Sequence, residues 1–289
     1  MRLAFPKSMN AQGHPLNGKS TSLTRNYSSS VCDDDTPSLY QEALSALQRE
    51  RVPFLVGGAY ALARYTGIER FTKDLDIFLI ERDCERALEV LAGLGCRTER
   101  TFHHWLAKGI RADGLIDVIY GSGNGVAVVD EDWFTYAPEE RICDVDVRIC
   151  PAEELLWSKA FVLERERYDG ADVLHVMRGV GPDLNWTRLI ARFGDHWRVL
   201  FSHVVLYGFV YPSERHRIPR WVTEELGRRF ASDPDDDLSR GKACLGTLLS
   251  RQQYLPDIDR EGFGDGRLIE GVMTPTEIAA WTAAIDEED

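Results

Sequence analysis

Two aspartates alternate with apolar residues at the start of a hydrophobic run between positions 74 and 80. Asp74 and Asp76 are separated by Leu75, and Ile77 and three further large apolar residues follow them. Such a run predicts a β-strand, on which residues two positions apart point to the same face. The two carboxylates should therefore project together, while Leu75 and Ile77 point into the core. Since like charges held side by side repel each other, the sequence predicts a cation between them.

The predicted cation is Mg²⁺. It takes one or two protein carboxylates as ligands and completes its shell with water and substrate phosphates. In two-metal sites, a pair of carboxylates holds both ions around an attacked phosphorus atom, with one ion activating the nucleophile and the other stabilising the leaving group. We therefore expect two Mg²⁺ ions here. The alternative is that Asp74 and Asp76 form the polar side of a half-exposed strand.

A third carboxylate lies inside another predicted strand. Asp117 falls within the apolar run 115–119, in a segment that predicts a strand over residues 114–120. A charge in a strand interior costs several kcal/mol unless it is paired or bound to a metal. We expect Asp117 to complete the metal site and to act as the general base for an attacking hydroxyl. The alternative is a solvent-facing strand residue.

A glycine pair precedes the aspartates. Gly57 and Gly58 lie between the apolar run 52–56, which predicts a strand, and the helical pattern 59–65. The first N–H groups of a helix lack partners within the helix and favour anions. The glycine pair therefore predicts a site for the β- and γ-phosphates of a nucleotide.

The pattern of elements divides the chain at about residue 150. Helix and strand patterns alternate over residues 37–150, which predicts an α/β (α+β) core with a mixed sheet. Over residues 151–289 strand patterns fade and helical spacing recurs, at 152–165, 171–178, 186–193, 196–211 and 221–230. Residues 1–36 are predicted to be a disordered tail, because the first 32 residues carry no acidic side chain and are rich in Ser, Thr and Asn.

Together, these motifs resemble the DNA polymerase β-type nucleotidyltransferase superfamily. That superfamily combines a Gly-Gly or Gly-Ser turn, an Asp-x-Asp strand and a third acidic residue on a later strand. Here, residues 70–77 read Arg-x-Thr-Lys-Asp-Leu-Asp-Ile, and residues 116–118 read Ile-Asp-Val. Within the superfamily, the chain most resembles the minimal nucleotidyltransferases and the abortive-infection toxin nucleotidyltransferases of bacteria. Those proteins carry Glu-Leu-Leu-x-x-Lys in a helical C-terminal region, and residues 154–159 match this motif.

The resemblance covers roughly residues 38–180 and implies a nucleotide site. It implies that Gly57 and Gly58 hold the triphosphate and that Thr72 and Lys73 contribute to nucleotide binding. Lys159, the last residue of the helical motif, would contact the phosphates. The alternative for Lys159 is a solvated side chain on the polar side of its helix.

The resemblance also gives a role to two aspartates of the helical half. Asp169 or Asp172 would support Lys159 or the catalytic centre. The spacing of these two residues allows another interpretation, in which Asp169 caps the next helix and Asp172 lies at its third position. Both interpretations stay open on the sequence alone.

The sequence therefore predicts a Mg²⁺-dependent nucleotidyltransferase that moves NMP from an NTP, for example ATP, to a hydroxyl acceptor and releases pyrophosphate. The acceptor could be a small molecule, a protein or a tRNA. Two other functions are compatible with the chain. One is the toxin of a toxin–antitoxin pair that modifies tRNA, and the other is a non-catalytic nucleotide-binding module. The intact set of three acids argues against the module.

Composition limits the surroundings in which the chain works. The net charge of −13, from 47 acidic and 34 basic residues, disfavours extended nucleic-acid binding because such a surface repels polyanions. No stretch approaches the roughly 18–20 apolar residues of a membrane span. The six cysteines contain no Cys-x-x-Cys pair, so we expect free thiols in a soluble, cytoplasmic protein.

Overall fold

The apolar runs of the first half pair into one mixed sheet. In the computed structural model, which describes residues 37–70, 72–232 and 241–284, the strands of this sheet are Leu55–Val56 (β1), Asp74–Phe78 (β2), Arg97–Phe102 (β3), Leu106–Arg111 (β4) and Gly114–Ile119 (β5). Their order is β1-β2-β5-β4-β3. Strands β2 and β5 are parallel, and the other neighbours in this sheet are antiparallel. The sequence patterns predicted β1, β2 and β5 but not the hairpin β3–β4.

Helices cover the sheet face that the alternating pattern buries. The helices of the first half are Ser38–Arg49 (α1), Gly58–Thr66 (α2), Cys84–Gly93 (α3) and Glu131–Thr135 (α4). Leu75 and Ile77 of β2 share one apolar cluster with Leu44 of α1 and Leu91 of α3. Because strand residues alternate in direction, this packing places Asp74 and Asp76 on the opposite face. A separate hairpin, Glu139–Ile142 (β6) with Val145–Arg148 (β7), completes the first half.

The second half is mostly helical, as predicted, and the predicted fold class is confirmed. Its elements are Ala152–Ala160 (α5), Gly170–Val180 (α6), Trp186–Phe193 (α7), Trp197–Val210 (α8), Arg220–Ala231 (α9), Leu255–Asp259 (α10), Gly266–Ile269 (α11), Pro275–Ala283 (α12) and the short paired strands Ala243–Cys244 (β8) and Gly264–Asp265 (β9). The helix predicted over 152–165 is shorter, since α5 ends at Ala160. The chain turns back after it, and the Glu164 N–H donates to the Arg167 carbonyl at 2.9 Å.

The two halves share a second apolar cluster. Phe78 of β2 and Ile119 of β5 belong to the same buried cluster as Leu155 of α5, Val173 of α6 and Leu189 of α7. These two sheet residues lie two positions beyond Asp76 and Asp117 on the same face. The aspartates therefore sit beside the junction between sheet and helices.

Three predictions from composition concern membrane spans, the cysteines and the N-terminal tail. Over the three described ranges, no helix is both long and apolar enough to span a bilayer. Four cysteines are free thiols: Cys84, Cys96, Cys150 and Cys244. The prediction of a free thiol is wrong for Cys143, which is disulfide-bonded. The predicted disordered tail, 1–36, lies outside the described residues.

Candidate active site

The parallel pairing of β2 with β5 brings two of the predicted carboxylates side by side. Asp76 is in register with Asp117, while Asp74 is opposite Leu115. Lys108 of β4 is in register with Asp117 on its other side, and its Nζ lies 3.6 Å from Asp117 Oδ1. One row of the sheet therefore carries two carboxylates and an ammonium, with Asp74 on the same face.

Burial and mutual repulsion oppose ionisation of this pair. Burial, followed by the charges of Asp74 and Asp117, raises the pKa of Asp76 to about 7, against the opposing effect of Lys159 and Arg167. Burial also raises the pKa of Asp117, although Lys108 acts in the opposite direction. An added cation would relieve the repulsion and favour the ionised forms of both carboxylates.

The donor set suits Mg²⁺, although a closed metal cage is not formed. Asp117 Oδ1 is buried and is paired with the Lys108 ammonium at 3.6 Å, which is longer than a hydrogen bond. Asp74, Asp76 and Asp117 supply oxygen ligands only, the chemistry that Mg²⁺ prefers. Within residues 37–70, 72–232 and 241–284, no three His, Cys, Asp or Glu side chains are gathered closely enough to hold a metal by themselves. Such an open arrangement is compatible with an ion that keeps several ligands from water and substrate.

Thr72 holds Asp74 in place. The Thr72 hydroxyl lies 2.5 Å from Asp74 Oδ1 and 3.0 Å from the Asp74 carbonyl oxygen. The adjacent Lys73 is exposed to solvent. Thr72 thus contacts the carboxylate site through Asp74, whereas the side chain of Lys73 is in solvent.

The glycine turn lies against Asp76. The Gly57 N–H donates to the Asp76 carbonyl oxygen at 2.9 Å, which fixes the start of α2 next to β2. Gly57 is the N-cap residue and offers no side-chain cap to the helix. A phosphate could therefore serve as the partner of the first-turn N–H groups.

Lys159 belongs to an ion-pair network beside the carboxylate row. Its Nζ lies 3.0 Å from Asp169 Oδ2 and 3.0 Å from Asp172 Oδ2. Arg167 binds Asp169 at 3.0 Å, and Arg70 binds Asp172 at 2.7 Å. The network joins three cations to two carboxylates, so its formal net charge is +1. The alternative of a solvated Lys159 is wrong, because only 16% of its side chain is exposed.

The capping interpretation of Asp169 and Asp172 is only partly met. Asp169 is the N-cap residue of α6, but its side chain makes no capping hydrogen bond. Burial would raise the pKa of Asp169, but the charges of Lys159 and Arg167 lower it below its usual value. Both carboxylates are therefore paired with Lys159.

A cavity of about 210 Å³ opens beside Asp76. Gly58 and Asp76 line it, together with Lys159, Arg167 and Asp169. Its other walls come from the loop 121–124 and from α5 with the turn after it. Residues 241–284, the C-terminal segment, also contribute to its walls. Asp74 and Asp117 do not line it.

Sequence reasoning missed several residues of this site. Arg167 is close enough to lower the pKa of Asp76, and Arg70 anchors Asp172. Glu164, Arg251 and Trp281 line the cavity. The alternating acidic and basic residues of segment 164–167 were a weak signal for Arg167. Arg251 and Trp281 gave no signal, since they follow the sheet residues by well over a hundred positions.

Several solved structures are similar to this chain at low identity. The solution structure of the antibiotic-resistance factor ANT(2'')-Ia has a TM-score of 0.43 at 18% identity, covering 57% of this chain and 94% of that chain. The lincomycin-bound crystal structure of the lincosamide antibiotic adenylyltransferase LnuA has a TM-score of 0.36 at 17% identity. The match covers 48% of this chain and 94% of that chain. The crystal structure of an antigenic nucleotidyltransferase-like protein from Paracoccidioides brasiliensis has a TM-score of 0.34 at 14% identity. The match covers 58% of this chain and 93% of that chain. No protein-family model and no curated protein matches the chain.

Proposed function

We propose that this protein is a Mg²⁺-dependent nucleotidyltransferase that moves NMP from an NTP to a hydroxyl acceptor. The register of Asp76 with Asp117 on adjacent parallel strands carries this proposal. It sets two carboxylates with raised pKa values beside a helix start that lacks a side-chain cap. Lys108 offsets part of the cost at Asp117, whereas Asp76 is opposed by two neighbouring carboxylates, an arrangement that a bound cation would stabilise.

Asp74, Asp76 and Asp117 would hold Mg²⁺. When bound, the metal supplies neutralisation of the charge that develops on the phosphate oxygens. Thr72 fixes the first of these carboxylates through its hydroxyl. Lys73, which is exposed and precedes Asp74 in the chain, contributes to nucleotide binding.

The phosphates are held by the chain itself. The Gly57 N–H is held by the Asp76 carbonyl, so Gly57 shapes the turn, and the N–H groups that begin at Gly58 would bind the β- and γ-phosphates, where the helix start favours anions. Lys159 adds a positive charge from the other side of the cleft, and Asp169 and Asp172 position it. Arg167 extends the same network toward Asp76.

The transfer is a single displacement at phosphorus. The acceptor oxygen forms a bond to the α-phosphorus, the bond from that phosphorus to the bridging oxygen of the β-phosphate breaks, and pyrophosphate leaves. Asp117 takes the proton of the acceptor hydroxyl and so acts as the general base. The motif at residues 154–159 predicts a relationship to the minimal and the toxin nucleotidyltransferases, and this relationship stays a prediction.

The test is transfer of label from NTPs labelled at the α-phosphate, with Mg²⁺ and a cell lysate as the source of acceptors. We expect labelled product from the wild-type protein and none after addition of a chelator. Asp76→Asn should abolish transfer. The matched control is Asp146→Asn, because Asp146 lies on β7 with 83% of its side chain exposed, and it should keep full activity.

Two outcomes would contradict the proposal. One is full activity of Asp76→Asn. The other is Mg²⁺-dependent NTP binding by the wild-type protein without transfer to any fraction of the lysate, which would identify a nucleotide-binding module instead.

A further inference from the structure

A row of charged side chains crosses four strands of the sheet. Asp76 of β2 is in register with Asp117 of β5, Asp117 with Lys108 of β4, and Lys108 with Glu99 of β3. Residues that lie opposite each other on paired strands project from the same face of the sheet. Lys108 therefore lies between two carboxylates, with Asp117 on one side and Glu99 on the other.

Lys108 is bound to Asp117. Its Nζ lies 3.6 Å from Asp117 Oδ1, and 26% and 15% of the two side chains are exposed. Solvent and salt screen a partly buried pair of this kind much less than a surface pair. The ammonium therefore supplies positive charge at the carboxylate where, in a two-metal site, the ion that activates the nucleophile would lie.

Glu99 competes only weakly for Lys108. The Glu99 carboxylate forms an ion pair with Arg97, which lies two positions earlier on β3. In addition, 37% of the Glu99 side chain is exposed, against 15% for Asp117, so water compensates Glu99 more readily. Lys108 consequently stabilises the protein more at Asp117 than at Glu99.

The proposed phosphate site lies on the other side of the carboxylates. The sheet order is β1-β2-β5-β4-β3, and Gly58 begins the helix that follows β1. Asp76 and Asp117 therefore separate the glycine turn from Lys108. With the phosphates at Gly58, an ion that joins them to the protein lies on the side of Asp74 and Asp76.

The charges of the site favour a single divalent ion. Asp74, Asp76 and Asp117 carry a formal charge of −3, and the Lys108 ammonium beside them reduces it to −2, which is the amount that one Mg²⁺ balances. A second Mg²⁺ at Asp117 would lie next to the ammonium, and like charges a few ångströms apart repel each other strongly when they are partly buried. The phosphates add negative charge at the glycine turn, away from Lys108.

We infer that Lys108 is a positioning residue whose ammonium takes the place of one of the two metal ions. It holds Asp117 ready as the general base, while one Mg²⁺ lies between Asp74, Asp76 and the phosphates. Because Oδ1 of Asp117 faces Lys108, Oδ2 is the oxygen left to face the ion and the acceptor. The inference rests on the proposed function and revises the expectation of two ions.

The test counts the bound ions. Mn²⁺ serves as the probe because it takes the same oxygen ligands as Mg²⁺ and can be counted by electron paramagnetic resonance. The protein is saturated with Mn²⁺ and an ATP analogue with a methylene group between the α- and β-phosphates, and the complex is separated from free ligands. We expect one Mn²⁺ in each complex of the wild-type chain.

Variants of Lys108 show whether its charge sets this number. Lys108→Met should bind two Mn²⁺, because Asp117 then lacks its cation, and Lys108→Arg should bind one. The matched control is Lys242→Met, which removes the same charge from an exposed residue of the C-terminal segment, and it should bind one. In chelator, Lys108→Met should also unfold at a lower urea concentration than the wild-type protein. A purely structural Lys108 would lower that midpoint too but would leave the count at one.

Three results would overturn the inference. The first is two Mn²⁺ in the wild-type complex, which decides the matter even if Lys108→Met does not fold. The second is a count of one in a folded Lys108→Met protein, and the third is a count of two in Lys108→Arg. A wild-type protein that binds neither Mn²⁺ nor the analogue would contradict the proposed function instead, so the two failures are distinguishable.

Discussion

The carboxylate of Asp76 occupies the space that a side chain at Gly58 would need. A β-carbon built on Gly58 would lie 1.7 Å from Asp76 Oδ2, and the φ angle of Gly58 is +51°. L-residues with a side chain rarely adopt this left-handed conformation. The close approach of the aspartate and the left-handed backbone therefore both favour glycine at the second position of the turn.

Gly58→Ala should destabilise the protein and abolish transfer. The added methyl group must displace the Asp76 carboxylate, and the left-handed backbone adds strain, so we expect a loss of about 1–3 kcal/mol in the free energy of unfolding. Urea denaturation and the label-transfer assay measure the two effects. Gly227→Ala on α9 is the control, since a β-carbon there meets nothing within 4 Å, and it should be neutral or stabilising by up to ~1 kcal/mol. Wild-type stability and activity of Gly58→Ala would refute the role of this contact.

Asp76→Asn should stabilise the metal-free protein at high pH. The pKa of Asp76 is about 7 in the folded protein, against an ordinary value of 3.8. Between these values the folded protein holds a proton that the unfolded chain has released, so the free energy of unfolding of the wild-type protein falls as pH rises. Asparagine cannot ionise and escapes this loss. At about pH 8 we expect the variant to be more stable by on the order of 2 kcal/mol, and at about pH 4 the pH-dependent difference should vanish.

Urea denaturation with a chelator present measures this difference. Mg²⁺ should reverse the order at about pH 8, because the ion stabilises the folded state that binds it and the variant binds it less well. A difference between the two proteins that is the same at both pH values would show that Asp76 is not the group responsible.

Local patterns in the sequence predicted the parts of the site that depend on one element. The alternation around Asp74 and Asp76 predicted strand β2 and the face of its carboxylates, because Leu75 and Ile77 can be buried in only one way. The glycine pair predicted the start of α2. The neighbour relation between Asp76 and Asp117 is different, since it depends on which strands pair. The position of Asp117 inside an apolar run suggested that the two aspartates are neighbours, but only the pairing of β2 with β5 establishes this.

Long-range packing decided what the sequence did not predict. The helix α5 has good helix formers beyond Ala160, yet the chain leaves the helix, and Glu164 binds Ser250 and Arg251 of the C-terminal segment. A tertiary contact outweighs helix propensity at this point. The same contact brings the cavity wall to the site, although residues 247–251 have no recognisable motif.

Lys159 and Asp169 should be energetically coupled. Their charged atoms lie 3.0 Å apart, and 16% and 11% of their side chains are exposed, so solvent screens the pair weakly. Chemical denaturation of Lys159→Met, Asp169→Asn and the double variant should give a coupling energy of about 1 kcal/mol or more. The control cycle uses Arg220 and Glu224, with 90% and 60% exposure, for which we expect less than about 0.5 kcal/mol. Equal coupling in the two cycles would mean that the buried network adds nothing beyond a surface ion pair.

Glu164→Ala should loosen the cavity wall while leaving the rest of the fold in place. The change removes the acceptor for the Ser250 hydroxyl and the Arg251 N–H. Leaving these two donors without their partner should lower the local opening free energy by about 1–3 kcal/mol. Under native conditions, trypsin should therefore cleave after Arg251 about fivefold or more faster, because cleavage follows the population of the opened state.

Mass spectrometry of the fragments identifies that cleavage site. Glu166→Ala is the matched control, since Glu166 is 61% exposed and lies 3.8 Å from its partner Arg165, and it should cleave after Arg251 at the wild-type rate. The midpoint of urea denaturation separates local from global effects. A Glu164→Ala protein whose cleavage after Arg251 rises only in proportion to a loss of global stability would show that Glu164 supports the whole fold rather than the wall. Unchanged cleavage would show that the contacts of Asn124 and Leu163 hold the wall without Glu164.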